Sequence, residues 1–258
     1  MGYFSFLKQY VQLHIRTALE YKTNFVFQSL FMFLNNALFL FFWYFIFEQI
    51  DTLRGWSFTD VVVLFAIGAF GFGLLSFFLG NWMRLTRIVE EGQLDFYLAL
   101  PKDELLHVLV AKSDFYGFGD ILFGLVIALV FLNPLLLPLV ILFSILGGLV
   151  WGSLIVITSC LSFVLGKAQG PNEVMSSLIF ALTTYPYTVF PPLAQIIFFV
   201  AIPVFFIANV PVMLLSSMVW WLLLAFVIVT AVFVTLAYVL FRLGLRRYES
   251  GNLVTMRN

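Results

Sequence analysis

The feature that most constrains the fold is a long stretch without any charged side chain. From Val174 to Phe241, 68 consecutive residues contain no Lys, Arg, Asp or Glu. A membrane-spanning helix needs about 20 mostly apolar residues, so this stretch is long enough for two or three crossings. The whole chain is only 10% charged, whereas soluble domains are roughly 25% charged. We therefore expect an all-α integral membrane protein.

The composition excludes several other classes of function. The 13 basic and 13 acidic residues balance, whereas binding to nucleic acid needs an excess of positive charge to neutralise phosphates. No nucleic-acid partner is therefore expected. One cysteine and two histidines are too few for a disulfide framework or a Cys/His metal centre. We predict no metal site, no cofactor site and no catalytic residue on this chain.

Apolar segments of suitable length predict six membrane-spanning helices. Their predicted bounds are 25–47, 61–80, 115–132, 139–165, 174–190 and 218–241. Between the last two spans, four prolines divide residues 191–215 into pieces that are too short to cross a bilayer. This pattern predicts a re-entrant helical hairpin, and a single proline-kinked spanning helix is the alternative.

An amphipathic segment precedes the first span and predicts an elbow helix at residues 3–22. Polar side chains recur on it every four positions, at Lys8, Gln12, Arg16 and Glu20. Apolar side chains form a second stripe, at Phe4, Leu7, Val11, Ile15 and Ala18. Such a helix lies in the headgroup plane of a bilayer, and we expect His14 to be solvated on its polar face. A simple extension of the first span is the alternative.

The distribution of basic residues predicts the orientation in the membrane. Cytoplasmic loops collect Lys and Arg. Six crossings with both termini in the cytoplasm place twelve of the 13 basic residues inside and leave only Arg54 outside. We therefore expect a multi-pass protein of the plasma (inner) membrane with both termini cytoplasmic.

The segment at residues 84–113, which we call the coupling loop, is the richest in polar chemistry. Gly92 interrupts its first helix, and Asp95 is placed to cap a short helix at Phe96–Leu100. Pro101 then suits the first turn of another helix. A loop that only reverses the chain could be far shorter, so the length of this loop indicates a role of its own.

Three consecutive side chains of the coupling loop, Phe96, Tyr97 and Leu98, form an apolar patch with charged residues around it. Apolar patches with a polar rim are typical of protein docking sites. The sequence therefore predicts that the short helix docks on a partner. Ordinary interfacial helices without a partner are the alternative.

Few polar side chains lie within the predicted spans. The amide and carboxyl side chains among them are Gln28, Asn35, Asn36 and Asp120, which either join helices to one another or line a transport pathway. A secondary transporter normally has charged or discontinuous sites near the bilayer midplane. No charged residue lies near the middle of any predicted span, which weighs against ion-coupled transport.

The order of these features resembles the permease subunit of a type-2 ABC exporter. Four motifs carry the resemblance: IVEEGQLDFYLALP at Ile88–Pro101, YPYTVFPP at Tyr185–Pro192, IPVFFIANVP at Ile202–Pro211 and GLRRYESGN at Gly244–Asn252. Within the first motif, residues 92–101 are similar to the family pattern Gly-x-x-Asp-x-x-Leu-x-x-Pro. The resemblance extends over essentially the whole chain.

The resemblance implies a dimeric permease bound to two copies of an ABC ATPase subunit. The second permease is either a copy of this chain or a paralogue. The short helix of the coupling loop would be the coupling helix, which sits in a groove of the ATPase. The implied interface residues are Arg87, Glu90, Glu91, Asp95, Phe96, Tyr97 and Pro101.

The chain is not expected to be an enzyme by itself. It contains no Gly-x-x-x-x-Gly-Lys-Ser/Thr phosphate-binding loop, so ATP and Mg²⁺ are expected on the partner ATPase. The charge-poor spans suit a hydrophobic or amphipathic cargo, such as a drug, a lipid-like molecule or a natural product. A membrane assembly or sensor subunit that docks a cytosolic partner is the second hypothesis, and an ion-coupled secondary transporter is the third.

Overall fold

The computed structural model describes residues 2–248 of the chain. Within this range the chain forms helices and no β-strand. Residues 249–252 of the tail motif and Arg257, one of the basic residues used to predict the orientation, lie outside it. The α-helices in chain order are α1 Tyr3–Glu20, α2 Lys22–Phe47, α3 Phe58–Phe78, α4 Leu85–Glu90, α5 Leu94–Leu98, α6 Glu104–Val110, α7 Tyr116–Phe131, α8 Leu137–Ser159, α9 Ser162–Leu165, α10 Gln169–Thr183, α11 Pro192–Ile196, α12 Asn209–Ser216 and α13 Trp220–Leu245.

Among the residues that the structure describes, four helical segments are long and apolar enough to cross a membrane. They are α2, α3, the continuous segment Pro134–Leu165 that contains α8 and α9, and α13. These segments overlap the first, second, fourth and sixth predicted spans. Together with the helical content, they support the prediction of an all-α integral membrane protein.

The third and fifth predicted spans are shorter helices. α7 has 16 residues and α10 has 15, which correspond to about 24 Å and 22 Å at 1.5 Å per residue. A bilayer core is about 30 Å thick, so the total of six crossings stays a prediction. α10 also begins five residues before the predicted span and ends at Thr183, because Pro186 disfavours helical backbone at the residue before it.

The segment predicted as a re-entrant hairpin consists of short helical pieces, and its depth in the membrane stays a prediction. α11 continues into a π-helical turn at Ile197–Ala201, and the chain then breaks at Pro203. The residues from Val204 to Val212 are buried in the bundle. The side-chain oxygen of Asn209 in this buried segment accepts a hydrogen bond from the backbone N–H of Tyr187 at 2.7 Å. This bond satisfies a backbone group that the break after α10 leaves free.

α3 lies at the centre of the bundle and is buried along most of its length. Glycines allow its backbone to approach its neighbours closely. A Cβ atom at Gly71 would lie 2.8 Å from the Ser144 carbonyl oxygen of α8, and a Cβ atom at Gly73 would lie 2.6 Å from the Gly117 carbonyl oxygen of α7. Small residues are the usual means of such packing in membranes, where lipid provides no hydrophobic force between helices.

The first helix packs on the bundle by a different face from the one that the sequence predicts. In α1 the buried residues are Phe6, His14 and Ala18. Phe4 and Ile15 of the predicted apolar stripe are exposed instead, 83% and 48% respectively. The prediction of a solvated His14 is wrong, because His14 follows Phe6 and Tyr10 on the face that contacts the rest of the chain.

Replacement of Gly73 by Ala is expected to lower the free energy of unfolding by about 1–3 kcal/mol, because the added methyl group forces α3 and α7 apart. Gly68→Ala in the same helix is the matched control, since a Cβ atom there makes ordinary contact with the Ala208 Cβ at 3.8 Å. Thermal unfolding of the detergent-purified chain measures both variants. A loss of stability in Gly68→Ala as large as in Gly73→Ala would contradict the close approach.

Candidate functional site in the coupling loop

The coupling loop is closed at its base by an ion pair. Arg84 donates two hydrogen bonds to the carboxylate of Asp114, at 2.6 Å and 3.0 Å, and a third to the Gly80 carbonyl at 2.6 Å. The Asp114 carboxylate raises the pKa of Arg84 further. Backbone hydrogen bonds from Gly80 to Lys112 and from Asp114 to Ser76 join the same two chain segments. The two ends of the loop are thus held together.

Between these ends the loop consists of a helix, a break, a short helix and a further helix, as the sequence predicts. Two details differ from the prediction, namely the role of Asp95 and the position of Pro101 relative to α6. Gly92 forms the break with a φ of +72°, in the left-handed region that favours glycine. Asp95 lies inside the first turn of α5 and does not cap it, because α5 begins at Leu94. Pro101 precedes the next helix, α6, whose N-cap is Asp103.

α5 has one face toward the bundle and one face outward. Leu94 is fully buried, and the Tyr97 ring packs edge-on against the His107 ring. Phe96 points outward and is 66% exposed, with Leu98 and Pro101 also exposed nearby. The predicted apolar patch is therefore centred on Phe96 and Leu98, and Tyr97 supports it from beneath.

The charged residues around the patch have two different roles. Arg87 pairs with Glu91 at 2.6 Å on the exposed surface. Glu90 instead turns toward α10 and accepts a hydrogen bond from the backbone N–H of Ala168 at 2.5 Å. Ala168 is the N-cap residue of α10, where a carboxylate interacts favourably with the helix dipole. Glu90 thus links the coupling loop to α10.

α1 contacts the loop through a polar aromatic cluster. The Tyr10 hydroxyl and the His107 Nε2 lie 2.7 Å apart, and the Phe6 ring packs edge-on against His107. Burial lowers the pKa of His107 and raises that of Tyr10. The side chain of Lys102 lies 5.2 Å from the centre of the Tyr3 ring. This contact was not predicted from the sequence, although the spacing of Phe6, Tyr10 and His14 at every fourth position places the three side chains on one face of α1 and could have indicated it.

α13 holds the other side of the loop. Arg242 pairs with Glu104 at 2.6 Å, and the Tyr238 hydroxyl donates to Asp103 at 2.8 Å. Tyr248 follows α13, and its pKa is raised by burial and by the nearby Asp95. Sequence reasoning did not identify these pairs, because the partners are more than 130 positions apart in the chain.

The polar residues of the predicted spans do not form one group. Asn36 of α2 donates a hydrogen bond to Asp120 of α7 at 2.6 Å, and both are buried. Gln28 bonds to Asn24 of its own helix, and Asn35 is exposed on α2. Asn36 and Asp120 therefore join two helices, while Gln28 and Asn35 do not reach them.

The chain matches the model of a known protein family. The family described as ABC-2 family transporter protein matches residues 33–251, a range that contains the coupling loop and every helix from α3 to α13. No curated protein and no solved structure matches the chain significantly.

Replacement of Arg84 by Ala is expected to lower the free energy of unfolding by about 2 kcal/mol, because it leaves the carboxylate of Asp114 without its charged partner. That carboxylate is only 10% exposed. Arg87→Ala is the matched control, since it breaks an exposed ion pair worth less than about 1 kcal/mol. Denaturant unfolding in detergent measures both variants, and equal losses would contradict the structural role of Arg84.

The contact between α1 and α6 is expected to weaken at low pH. The pKa of a histidine is about 6.5 in an unfolded chain, and a histidine whose pKa is lower in the folded state contributes its full stabilisation above pH 6.5. This stabilisation is lost as the pH falls through the pKa of the folded state. His107→Gln keeps an acceptor for the Tyr10 hydroxyl and removes the titration. The melting temperature of the variant should therefore decrease less between pH 7.5 and pH 5.5. An unchanged pH dependence would contradict the burial of a neutral His107.

Proposed function

The chain belongs to the ABC-2 family of transporter proteins, and we propose that it is the permease subunit of an ATP-driven exporter. In this proposal the chain crosses the plasma (inner) membrane six times, with both termini in the cytoplasm. Two such subunits, either identical or paralogous, form the pathway for the cargo. Two copies of an ABC ATPase bind at the cytoplasmic face and supply the ATP and Mg²⁺ chemistry.

The observation that carries the proposal is the exposed apolar surface of α5 on a firmly held loop. Phe96 and Leu98 are exposed outside the long apolar helices, and the exposed Arg87–Glu91 pair lies at the end of the preceding helix, α4. Aromatic side chains at the centre of a patch with a charged rim are the usual anchors of protein interfaces. The ion pair at the base of the loop and the contacts with α1, α10 and α13 keep this patch in one orientation.

The surface of α2 supports the formation of a permease dimer. Only a small part of α2 is buried within the chain. Asn35 is exposed on this helix among apolar neighbours such as Phe31 and Leu38. An amide that faces lipid has no hydrogen-bond partner, and membrane helices satisfy such groups by association. A second permease subunit against α2 would supply a partner for Asn35.

A groove along α2 supports the proposed pathway for a hydrophobic or amphipathic cargo. It has a volume of about 560 Å³. α2, α3 and α10 contribute its walls, including Phe42, Phe65 and Phe180. The same groove would face the second permease subunit.

Replacement of Phe96 by Ala is expected to reduce the amount of ABC ATPase that co-purifies with the chain from its native membrane by about tenfold or more, as truncation of a central aromatic anchor does. Phe45→Ala is the matched control. Phe45 is 62% exposed, but it lies at the opposite end of α2 from the coupling loop. Mass spectrometry with a labelled reference peptide quantifies the ATPase.

Two results would contradict the proposal. The first is the absence of any ABC ATPase from the purified wild-type complex in mild detergent with ATP present. The second is equal recovery of the ATPase with Phe96→Ala and with the wild type, which would remove α5 from the interface. The thermal unfolding midpoint of each variant verifies that the fold is intact.

A further inference from the structure

The buried carboxylate of Asp120 has an unusual environment. Asp120 is 1% exposed, and its Oδ1 accepts a hydrogen bond from Asn36. Its Oδ2 is buried and has no hydrogen-bond partner in the part of the chain that the structure describes. Buried polar atoms almost always have a partner. The contact with Asn36 therefore accounts for Oδ1 and leaves Oδ2 of this carboxylate without a hydrogen-bond partner in the described residues.

Neither protonation state removes this deficit. An ionised carboxylate with a single amide donor is a buried charge without a counter-charge, which is strongly unfavourable in an apolar region. A protonated carboxylic acid has a hydroxyl donor at Oδ2 that finds no acceptor. In either state, the described residues therefore supply no counter-charge and no acceptor to Oδ2.

Asp120 lines a small cavity between α2, α3, α7, α8 and α10. Its volume is about 50 Å³, enough for a few atoms, since one water needs about 10–15 Å³. Aromatic side chains form much of the wall: Phe65, Phe72, Trp151 and Phe180. No Lys, Arg or His is among the lining residues, all of which lie within the described range.

The cavity adjoins the groove along α2. Met32, Asn36, Phe65, Phe180 and Thr184 line both. The groove and the cavity therefore share part of their walls, and the groove is the larger of the two.

We propose that Asp120 and this cavity bind the ammonium group of an amphipathic organic cation whose apolar part lies in the groove. This inference rests on the proposed transport function and specifies its cargo class. A carboxylate supplies the counter-charge, and aromatic faces attract cations through their quadrupoles. An anionic group is excluded, because it would meet the carboxylate with no basic side chain in the cavity to offset the repulsion.

Two sources could supply this group: a free amphipathic cation or the ammonium of a phospholipid headgroup. Asp120 lies four residues inside α7, about 6 Å along the helix axis from its first residue. Phe180 and Thr184 of the cavity lie twelve or more residues along α10 from Ala168, so the cavity lies within the bundle and not at the level of the coupling loop.

The test measures binding to the full chain without its ATPase. The chain is placed in nanodiscs of phosphatidylglycerol, which has no ammonium group. Radiolabelled dodecylammonium, whose primary ammonium has N–H donors for the Asp120 carboxylate, is the probe, and dodecanol and dodecyl sulfate are the neutral and anionic competitors with the same alkyl chain. Wild-type protein should bind the cation saturably, and unlabelled cation should compete at least about tenfold better than either control, as expected for one specific charged contact.

Three variants test the assignment. Asp120→Asn preserves the shape and an acceptor for Asn36 and should weaken binding by about tenfold or more, whereas Asp120→Glu should stay within about threefold of the wild type. Phe180→Leu keeps an apolar wall without the ring and should weaken binding about threefold through the lost cation–π contact. Gln28→Leu on α2, outside the cavity and the groove, should bind as the wild type does.

Absence of saturable cation binding by the wild type would overturn the proposal. Binding of the cation by Asp120→Asn with the affinity of the wild type would also overturn the proposal. If Asp120→Asn fails to fold, wild-type affinity in Phe180→Leu would overturn it instead. Nanodiscs with added phosphatidylethanolamine identify the source: a lower affinity for the probe indicates the lipid headgroup, and an unchanged affinity indicates a free cation. This binding assay contains no ATPase. A negative result therefore does not affect the co-purification of the ATPase, which is the separate test of the proposed permease function.

Discussion

The structure of the coupling loop depends on the ion pair between Arg84 and Asp114. The pair closes a segment of about 30 residues at its base, and both of its carboxylate oxygens are engaged. A guanidinium is suited to this role because its planar fork makes two parallel hydrogen bonds, which a single ammonium cannot do. With the ends fixed, α4, α5 and α6 fold against one another and against α8 and α13 around buried residues such as Leu85 and Leu94.

α10 connects the two sites that the structure indicates. Its N-cap residue, Ala168, is bound by Glu90 of the coupling loop, and its other end contributes Phe180 and Thr184 to the cavity beside Asp120. Distant sites are coupled when both of them bias the arrangement of one structural element. In the proposed exporter, a shift of the coupling loop against the ATPase would reach the groove through this single helix.

The bundle combines tightly and loosely packed helices. α3 is held against α7 and α8 by close glycine contacts, whereas much of the surface of α2 is exposed. In a membrane, helices associate through close packing and polar contacts, since lipid is as apolar as the side chains. The tight part therefore forms a fixed frame, and the Asn36–Asp120 hydrogen bond is a polar contact between the loosely packed α2 and that frame.

The sequence by itself determined the membrane class, the helical architecture, the break at Gly92 and the family, because hydropathy, prolines and local motifs are properties of neighbouring residues. It did not determine which side chains meet across the fold. Tyr10 with His107, Glu90 with Ala168 and Arg242 with Glu104 are separated by 78 to 138 positions. Only tertiary packing decides such contacts, and it also turned His14 inward and placed Asp120 in the wall of a cavity.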